Sequence, residues 1–181
     1  MSGRLKFGNN SNYKIKHDHF VLYISNKYKL IFNDTRKFGF IDISKSSQLY
    51  NKNYIYNLGI DALDLNLNYK YLHNKISKSN VPIKQILLNQ RIISGIGNIY
   101  ASEILFDAKI SPLKKGKELK ITDYTSIVRS TRKILKKAIK YGGSSIRDYR
   151  ATDGTLGNFQ SNFKVYSMAG KKIGNDTVIE A

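Results

Sequence analysis

Two glycines one residue apart, Gly95 and Gly97, followed by Asn98, form the segment with the clearest potential for chemistry. They stand in the run NQRIISGIGNIYASEILF at 89–106. Backbone N–H groups at the start of a helix bind phosphate, and glycine lets a phosphate come close to the backbone. The spacing therefore predicts a phosphate-binding turn, to which the Asn98 side chain adds a donor.

A dinucleotide cofactor is one alternative ligand for such a turn. That site needs a strand before the glycines and an acidic residue about 20 positions later. The segment before Gly95, PIKQILLNQRII, predicts a helix behind Pro82, and another helix is predicted after Ala108. Helix, tight turn and helix instead fit a hairpin that holds a single phosphate of a nucleic-acid backbone. A turn that merely lets two helices pack is the other alternative.

The charge balance favours a polyanionic partner. The chain has 31 Lys and Arg against 13 Asp and Glu, a net charge of +18. Nucleic acid is the first candidate for such a surplus, and an anionic membrane surface is the second. An A+T-rich coding sequence would also enrich Lys, Asn, Ile and Tyr, so composition alone leaves a second explanation open.

Several classes of function are disfavoured by residues that the sequence lacks. There is no cysteine, which excludes disulfides, thiolate metal sites and a cysteine nucleophile, and the three histidines are scattered. The first residues do not resemble a signal peptide, and no apolar run reaches the ~18 residues of a membrane span. We expect a soluble, cytoplasmic, monomeric chain that has no cofactor and no contact with membranes.

The predicted secondary structure changes along the chain, from strands in the first part to helices in the second. A hairpin around Asn26-Lys27 is predicted from the alternation at 20–33, with further strands near 3–7 and at 38–44. Apolar residues at helical spacing predict helices at 66–77, 82–89, 98–108 and from Thr122, as the cap, to Tyr141. The basic face of the last helix fits either a solvated surface or a binding stripe. A loop follows at 142–157, and then a strand-like segment at 158–170.

The pattern predicts an α+β chain in three parts. Residues 1–60 would hold the predicted strands, and residues 61–157 the predicted helices and the loop at 142–157. Residues 158–181 would form a short strand and a tail.

The segment QRIISGIGNIYASEILFDAKISP resembles the helix-two-turns-helix segment of the formamidopyrimidine-DNA glycosylase and endonuclease VIII family of bacterial base-excision repair enzymes. Three further segments are similar to this family in its order: MSGRL at 1–5, KHDHF with DTRKFGF at 16–40, and GGSSIRDYRATDGTLGNFQSNFKVY at 142–166. The last resembles the lesion-recognition loop of the formamidopyrimidine branch. The resemblance implies a partial antiparallel β-sandwich at 1–60 and a helix-two-turns-helix DNA-binding domain at 61–157, with the lesion-recognition loop at 142–157. The resemblance implies removal of oxidised purines together with abasic-site lyase activity, in the bacterial cytosol.

The resemblance also implies roles for individual residues. Arg36 would face the base left without its partner, and Phe38 would wedge into the base stack. Implied DNA-binding positions are His17, Arg36, Phe38, Lys78, Lys84, Gly95, Gly97, Asn98 and Tyr166. Implied lesion-site positions are Met1, Arg36, Phe38, Arg147, Asp148 and Phe159. From residue type alone, Phe38 equally fits an ordinary strand, Tyr166 a core and His17 a surface imidazole.

The chain departs from the family at both ends. The family's nucleophile is an amino-terminal proline beside a glutamate, with a lysine on a following hairpin, and none of these has a match. The family's four-cysteine zinc finger has no match either. We therefore expect a chain truncated at both ends, with the zinc finger absent, no catalytic residue identified, and no base excision by the chain alone. Whether it acts as an enzyme stays open at this point.

Two kinds of partner follow from the resemblance. Double-stranded DNA is the first, with a weak preference for damaged or abasic sites. A separately encoded amino-terminal fragment that supplies the missing proline, glutamate and lysine is the second. The alternative function is a non-catalytic rRNA-binding or DNA-binding protein, because helix-two-turns-helix modules also occur in a ribosomal small-subunit protein. That protein's pattern would not include the DTRKFGF segment.

Overall fold

The computed structural model describes residues 3–9, 16–144, 155–174 and 176–179. Contacts group the chain into two compact units. The first unit comprises Met1–Ser44 and Ala138–Asn162, and the second comprises Lys45–Lys137 and Phe163–Ala181. The domain boundaries predicted from the sequence, at 60 and 157, stay a prediction. The α+β class is confirmed, since one unit contains a sheet and the other is mainly helical.

A three-stranded antiparallel sheet forms the described body of the first unit. Its strands are β1 (Arg4–Asn9), β2 (Asp18–Tyr23) and β3 (Tyr28–Asn33), in the order β1-β3-β2. The hairpin and the first strand predicted from alternation are thereby confirmed. The central strand β3 has buried and half-buried residues along most of its length, whereas β2 is exposed after its first residue.

One face of this sheet is apolar and only partly covered. Leu5 pairs with Phe32, and Phe32 also pairs with Phe20; Phe7 pairs with Leu30, which pairs with Leu22. Because side chains alternate across a strand, these six residues share one face. Leu5, Phe7, Phe20 and Leu22 are 37–50% exposed. An antiparallel sheet usually buries its apolar face, so this face has the character of a contact surface.

The strand predicted at 38–44 is wrong, because the chain there has no regular secondary structure. The buried side chain of Asp34 accepts backbone N–H groups from this region and draws it into a turn. Lys37 lies in the left-handed region with a φ of 57°. A local hydrogen-bonded turn has thus overridden the β propensity of FGFIDIS.

The second unit is built from short helices and one long one. A 3-10 helix lies at Ser46–Asn51, the short helix α1 spans Asn53–Tyr56, and a further 3-10 helix lies at Gly116–Glu118. The remaining helices are α2 (Tyr69–Ile76), α3 (Ile83–Leu88), α4 (Asn98–Asp107) and α5 (Ile121–Lys140). All four coincide with predicted helices. The Thr122 cap is wrong, since α5 begins before it and the Asp123 carboxylate accepts the N–H of Lys120.

Two residues of strand precede the glycine turn, where a helix alone was predicted. Here β4 (Ile60–Asp61) pairs in parallel with β5 (Ile93–Ser94). The close approach requires Gly59, because a Cβ there would lie 2.3 Å from the carbonyl oxygen of Ile92. This pair is too short for the βαβ unit of a dinucleotide site.

An apolar core holds the helices of the second unit together. Its buried residues are Ala62, Leu67, Leu72, Ile76, Ile83, Ile86, Leu87, Ile93, Ile96, Ala101, Ile104, Leu105, Ile110, Leu119, Tyr124, Ile127, Val128 and Leu135. Each fully buried Leu or Ile contributes roughly 1.5–3 kcal/mol relative to an exposed position. The glycine turn is therefore flanked on both sides by residues fixed in this core.

The strand-like segment predicted at 158–170 is also wrong. A 3-10 helix occupies Phe159–Asn162, and turns follow it. The N–H groups of residues 164–166 donate to the side chain of Glu103 instead of to a neighbouring strand. Further on, β6 (Lys172–Ile173) pairs antiparallel with β7 (Asp176–Thr177). Among the residues described, no helix combines the length and the apolar content that crossing a membrane requires.

Candidate nucleic-acid interface

The glycine turn of the second unit has a shape that glycine adopts most readily. Gly95 has a φ of 92°, in the left-handed region. The Gln90 side chain braces the turn: Oε1 accepts the N–H of Gly95 at 2.9 Å, and Nε2 donates to the carbonyl oxygen of Ile96 at 2.8 Å. No pattern in the sequence indicated this role of Gln90, whose two hydrogen bonds hold the turn that leads into α4.

The start of α4 is the part of this turn that suits a phosphate. Gly97 is the N-cap residue, with φ −107° and ψ 178°, and it offers no side chain to cap the first N–H groups. The helix dipole adds partial positive charge at this end, and the exposed Asn98 side chain lies beside it. Gly97 and Asn98 therefore form a position whose geometry suits an anion, whereas the N–H of Gly95 is used within the turn.

Close helix packing does not explain these glycines. A Cβ added to Gly97 would meet no heavy atom within 4 Å, and one added to Gly95 would only touch the Cβ of Ala62 at 4.0 Å. Gly95 is required by its backbone conformation, but Gly97 leaves open space above the helix start. That space favours a ligand that approaches the backbone over a turn that merely lets two helices pack.

Lys84 and part of the 164–166 segment line one open cavity of about 760 Å³ in the second unit. Lys84 contributes from α3, Ser102 from α4, and Val165 from the later segment. The structure thus brings Lys84, α4 and the segment that contains Tyr166 to the same region. Lys78 is exposed beyond the end of α2 and is not among the lining residues.

The backbone at Tyr166 is fixed by a buried carboxylate. Glu103 on α4 is 2% exposed and accepts the N–H groups of Lys164, Val165 and Tyr166 at 2.9–3.0 Å. The Tyr166 ring packs edge to face against Phe163, with 5.6 Å between the ring centroids. This role of Glu103 was not predicted from the sequence. The available signal was an acidic residue between Ala101 and Ile104 on a helix with core positions.

The DTRKFGF corner of the first unit is organised by Asp34, another residue whose role was not predicted. Asp34 is 1% exposed, and its carboxylate accepts the N–H of Arg36 at 3.1 Å and of Gly39 at 2.8 Å. A Cβ on Gly39 would lie 2.5 Å from Cζ of Phe32. The corner is therefore held against the end of β3 by hydrogen bonds and by a contact that needs glycine.

Arg36 and Phe38 project together from this corner. The Arg36 guanidinium carbon lies 4.6 Å from the centroid of the Phe38 ring, within the range of a cation–π contact. Phe38 is 77% exposed, although the backbone around it is fastened. A fixed, exposed aromatic ring paired with a cation suits insertion between bases. This placement excludes the reading of Phe38 as an ordinary strand residue.

The remaining predicted positions of the first unit have mainly structural contacts. His17 has a φ of 73°, and its carbonyl oxygen accepts the N–H of Asp34 at 3.0 Å. Phe159 is 1% exposed and packs edge to face against Tyr141. Its ring supports the base of the predicted lesion loop, and a contact with a lesion stays a prediction. Met1, Arg147 and Asp148 lie outside the described residues.

The two ends of the predicted lesion loop meet. Ser144 and Asn158 form an antiparallel bridge, and the N–H of Phe159 donates to the carbonyl oxygen of Gly143 at 2.9 Å. A Cβ on Gly157 would lie 2.3 Å from that same oxygen. The stem of the loop is thus closed by a backbone contact that only glycine permits.

Part of the basic face of α5 serves the fold. Arg132 donates to the carbonyl oxygens of Leu65 and Leu67 at 3.1 and 2.9 Å, and Lys133 pairs with Asp107. Burial opposes ionisation of Asp107, but hydrogen bonds from Lys133 and Ser130 and the nearby positive charges outweigh it and lower the pKa of that carboxyl. These basic residues stabilise the second unit instead of standing free for DNA.

The residues do not fit the family's zinc finger. The sequence has no cysteine, so a four-cysteine site has no ligands here. Within the described ranges, no group of three or more His, Cys, Asp or Glu residues is placed to hold a metal ion. No metal-dependent step is assigned to this interface.

Two family models match the chain. The formamidopyrimidine-DNA glycosylase H2TH domain matches residues 58–150, which is more than half of the chain. The formamidopyrimidine-DNA glycosylase N-terminal domain matches residues 1–41. The two matches include both the glycine turn and the corner that carries Arg36 and Phe38.

Curated relatives are similar over most of the chain. Formamidopyrimidine-DNA glycosylase of Zymomonas mobilis is 45% identical over 172 residues, which cover 95% of this chain and 63% of the relative. The protein of the same description from Rickettsia bellii is 41% identical over 173 residues, with coverage of 95% and 63%. The chain spans less than two thirds of the length of these relatives.

Solved structures with bound DNA are similar as well. The complex between the Lactococcus lactis Fpg and an abasic site containing DNA matches with a TM-score of 0.87 at 33% identity, covering 98% of this chain and 65% of that one. MutM in complex with carbocyclic 8-oxo-G containing DNA matches with a TM-score of 0.86 at 33% identity, covering 98% and 64%.

Proposed function

Because the chain belongs to the formamidopyrimidine-DNA glycosylase family, we propose that it carries the damaged-DNA-binding function of a base-excision repair glycosylase. The family activity is removal of oxidised purines with cleavage of the abasic site. In this proposal the second unit grips the phosphate backbone, and the first unit supplies Arg36 and Phe38 to the opened site. The place of action is the bacterial cytosol, where the DNA is.

The start of α4 is the observation that carries this proposal. It combines an uncapped helix end, open space at Gly97 and the exposed Asn98 side chain. Such a site binds phosphate without reading bases, and the net charge of +18 adds a long-range attraction to DNA. The relatives with solved structures are named as complexes with abasic-site or 8-oxoguanine DNA, which supports damaged DNA as the partner.

A titration of labelled duplex DNA with the full chain tests the proposal. We expect a Kd within roughly 10⁻⁴ to 10⁻⁶ M at physiological salt, rising steeply with salt concentration and depending little on sequence. An abasic site should bind a few-fold more tightly than intact duplex, because opening the helix costs least there. Binding that does not respond to salt contradicts the phosphate part of the proposal.

Asn98→Asp is the matched test of the helix start. It removes a donor and places a negative charge beside the bound phosphate, so we expect a loss of about 1–2 kcal/mol in DNA binding. Asn74→Asp, at an exposed position on α2, adds the same charge on a different helix. Equal losses in the two variants would show that only net charge matters.

A second candidate function is assembly with a separately encoded fragment, which the apolar sheet face favours. Leu5, Phe7, Phe20 and Leu22 would pack against a strand-rich partner that brings the proline, glutamate and lysine of the family. Co-expression with the residues of the Zymomonas mobilis relative that lie outside the match tests this. Co-purification, with a borohydride-trapped adduct on abasic DNA formed only by the pair, is the expected result.

The competing interpretation, a ribosomal type of helix-two-turns-helix protein, is less well supported. The family match extends to residues 1–41, outside the helical module. A filter-binding comparison of equal lengths of ribosomal RNA and damaged duplex separates the two functions. Tighter binding of the RNA at matched salt would favour the ribosomal interpretation.

A further inference from the structure

Glu103 is a buried carboxylate that neither the family resemblance nor the proposed contacts use. It is 2% exposed, and it lies on α4 five residues after Asn98. Burying a carboxylate is costly unless hydrogen bonds compensate for the lost water. Within the described part of the chain no basic side chain pairs with it, so its compensation comes from elsewhere.

Backbone N–H groups supply that compensation. Lys164 donates to both oxygens of the carboxylate, at 3.0 and 2.9 Å, and Val165 and Tyr166 donate to Oε1 at 3.0 and 2.9 Å. Three consecutive N–H groups that converge on one anion form a compact nest. Hydrogen bonds to an ionised acceptor are stronger than neutral ones, so the 164–166 segment is fastened firmly to α4.

The same helix therefore holds two parts of the DNA interface. Its first turn presents Gly97 and Asn98 to a phosphate, and about 7.5 Å further along its axis Glu103 fixes the backbone at Tyr166. Val165, between the fastened residues, lines the cavity that Lys84 and Ser102 also line. A shift of the 164–166 segment would change the position of Tyr166 relative to the helix start.

We propose that Glu103 is a positioning residue of the DNA interface. It holds Tyr166 at a fixed position relative to the phosphate-binding start of α4. This inference rests on the proposed DNA-binding function. Glu103 does not touch DNA in this account. It acts through the backbone of residues 164–166, so that both contacts meet one DNA backbone without a separate ordering step on binding.

The direction of the effect of Glu103→Gln separates this role from simple electrostatics. Removing a negative charge from a DNA-binding protein should strengthen binding, as we expect for Glu118→Gln, an exposed glutamate whose carboxylate accepts the N–H of Lys115 at 2.9 Å. Glu103→Gln removes the same charge but releases the 164–166 segment. We expect about tenfold weaker binding of a duplex with an abasic-site analogue, and a salt slope smaller by about one phosphate contact.

A double-mutant cycle tests whether Glu103 acts through Tyr166. Tyr166→Ala alone should weaken binding by about fivefold, and the double variant should bind within about twofold of Glu103→Gln. A purely structural role would give additive losses. Additive losses, or a Glu103→Gln protein that binds as tightly as Glu118→Gln, overturn the proposal. If the unmodified chain itself fails to bind DNA, the proposed function fails instead.

Amide hydrogen exchange of the unmodified chain tests the proposal independently, in case the Glu103→Gln protein does not fold. The amides of residues 164–166 should exchange slowly in the free protein and more slowly still with the abasic duplex bound. Fast exchange of these amides in the free protein overturns the proposal. Circular dichroism of each variant, compared with the unmodified chain, establishes which of the two tests applies.

Discussion

The glycine turn of the second unit and the corner of the first unit are held by similar hydrogen bonds, but the apolar residues next to them differ in burial. Gln90 shapes the turn and Asp34 shapes the corner, each through two hydrogen bonds to the backbone. The turn is flanked by residues of a buried apolar core, whereas the corner leaves a sheet whose apolar face is about half exposed. One polar side chain can thus set the shape of a loop through its hydrogen bonds. The stability of that loop depends on how well the neighbouring apolar residues are buried.

The largest difference in the free energy of unfolding should appear between a variant of the buried helical core and a variant of the exposed sheet face. Leu87→Ala, at a fully buried position on α3, should lower the free energy of unfolding by about 3 kcal/mol. Leu22→Ala, at a position on β2 that is 48% exposed, should cost less than about 1 kcal/mol. Urea denaturation of the full chain, followed by circular dichroism, measures both. Equal losses would mean that the sheet face is covered after all.

Removing the Asp34 carboxylate, which holds the corner, should cause the next largest loss of stability. Asp34→Ala leaves two backbone N–H groups without their acceptor, which should cost about 2 kcal/mol. Asp64→Ala removes an exposed turn-forming carboxylate that accepts the N–H of Asn66, and it should cost well under half as much. Thermal unfolding of both variants tests this difference. A smaller loss for Asp34→Ala than for Asp64→Ala would show that burial of the brace is unimportant.

Removing the projecting ring should change recognition more than stability. Phe38→Ala deletes a ring that is 77% exposed, so the free energy of unfolding should change by less than about 0.5 kcal/mol. The few-fold preference for abasic over intact duplex should disappear, because no wedge remains to fill the opened site. Phe40→Ala, at a ring that is 65% exposed, is the matched control and should keep the preference. Loss of preference in both variants would remove the special role of Phe38.

The smallest effect concerns the pH dependence of the second unit. Hydrogen bonds and positive charges outweigh burial and lower the pKa of Asp107 from its usual 3.8. A carboxyl whose pKa is lowered by folding stabilises the protein fully above its unfolded pKa, and this contribution is lost as the pH falls through the folded value. Asp107→Asn should therefore cost up to about 1 kcal/mol at pH 6 and less at pH 2.5. Urea titrations at the two pH values measure the difference, and an equal cost at both would contradict it.

The sequence was a good guide wherever the signal was local. Apolar spacing located the helices that became α2 to α5, and alternation located the hairpin of β2 and β3. The Gly-x-Gly pair was enough to predict the turn, since a left-handed residue at 95 and a bare N-cap at 97 both favour glycine.

The failures have a common physical cause. Residues 164–166 read as a strand because nothing nearby indicates that their N–H groups donate to Glu103, some 60 positions earlier in the chain. The segment at 38–44 has strand-forming residues, but the buried carboxylate of Asp34 bends the chain before a strand can pair. Gln90, Asp34 and Glu103 were missed because each acts on backbone groups, for which residue type alone gives no partner.

Backbone contacts close the stem of the loop that follows α5. Because Ser144 and Asn158 already pair, and Gly157 packs on Gly143, the ends of the intervening segment are joined by the scaffold itself. Doubling the length of a flexible loop with fixed ends costs only about 0.6 kcal/mol. Insertions and replacements between Ser144 and Asn158 should therefore lower the free energy of unfolding only slightly. The stem would then keep its shape when the segment between Ser144 and Asn158 is replaced by one of different length or sequence.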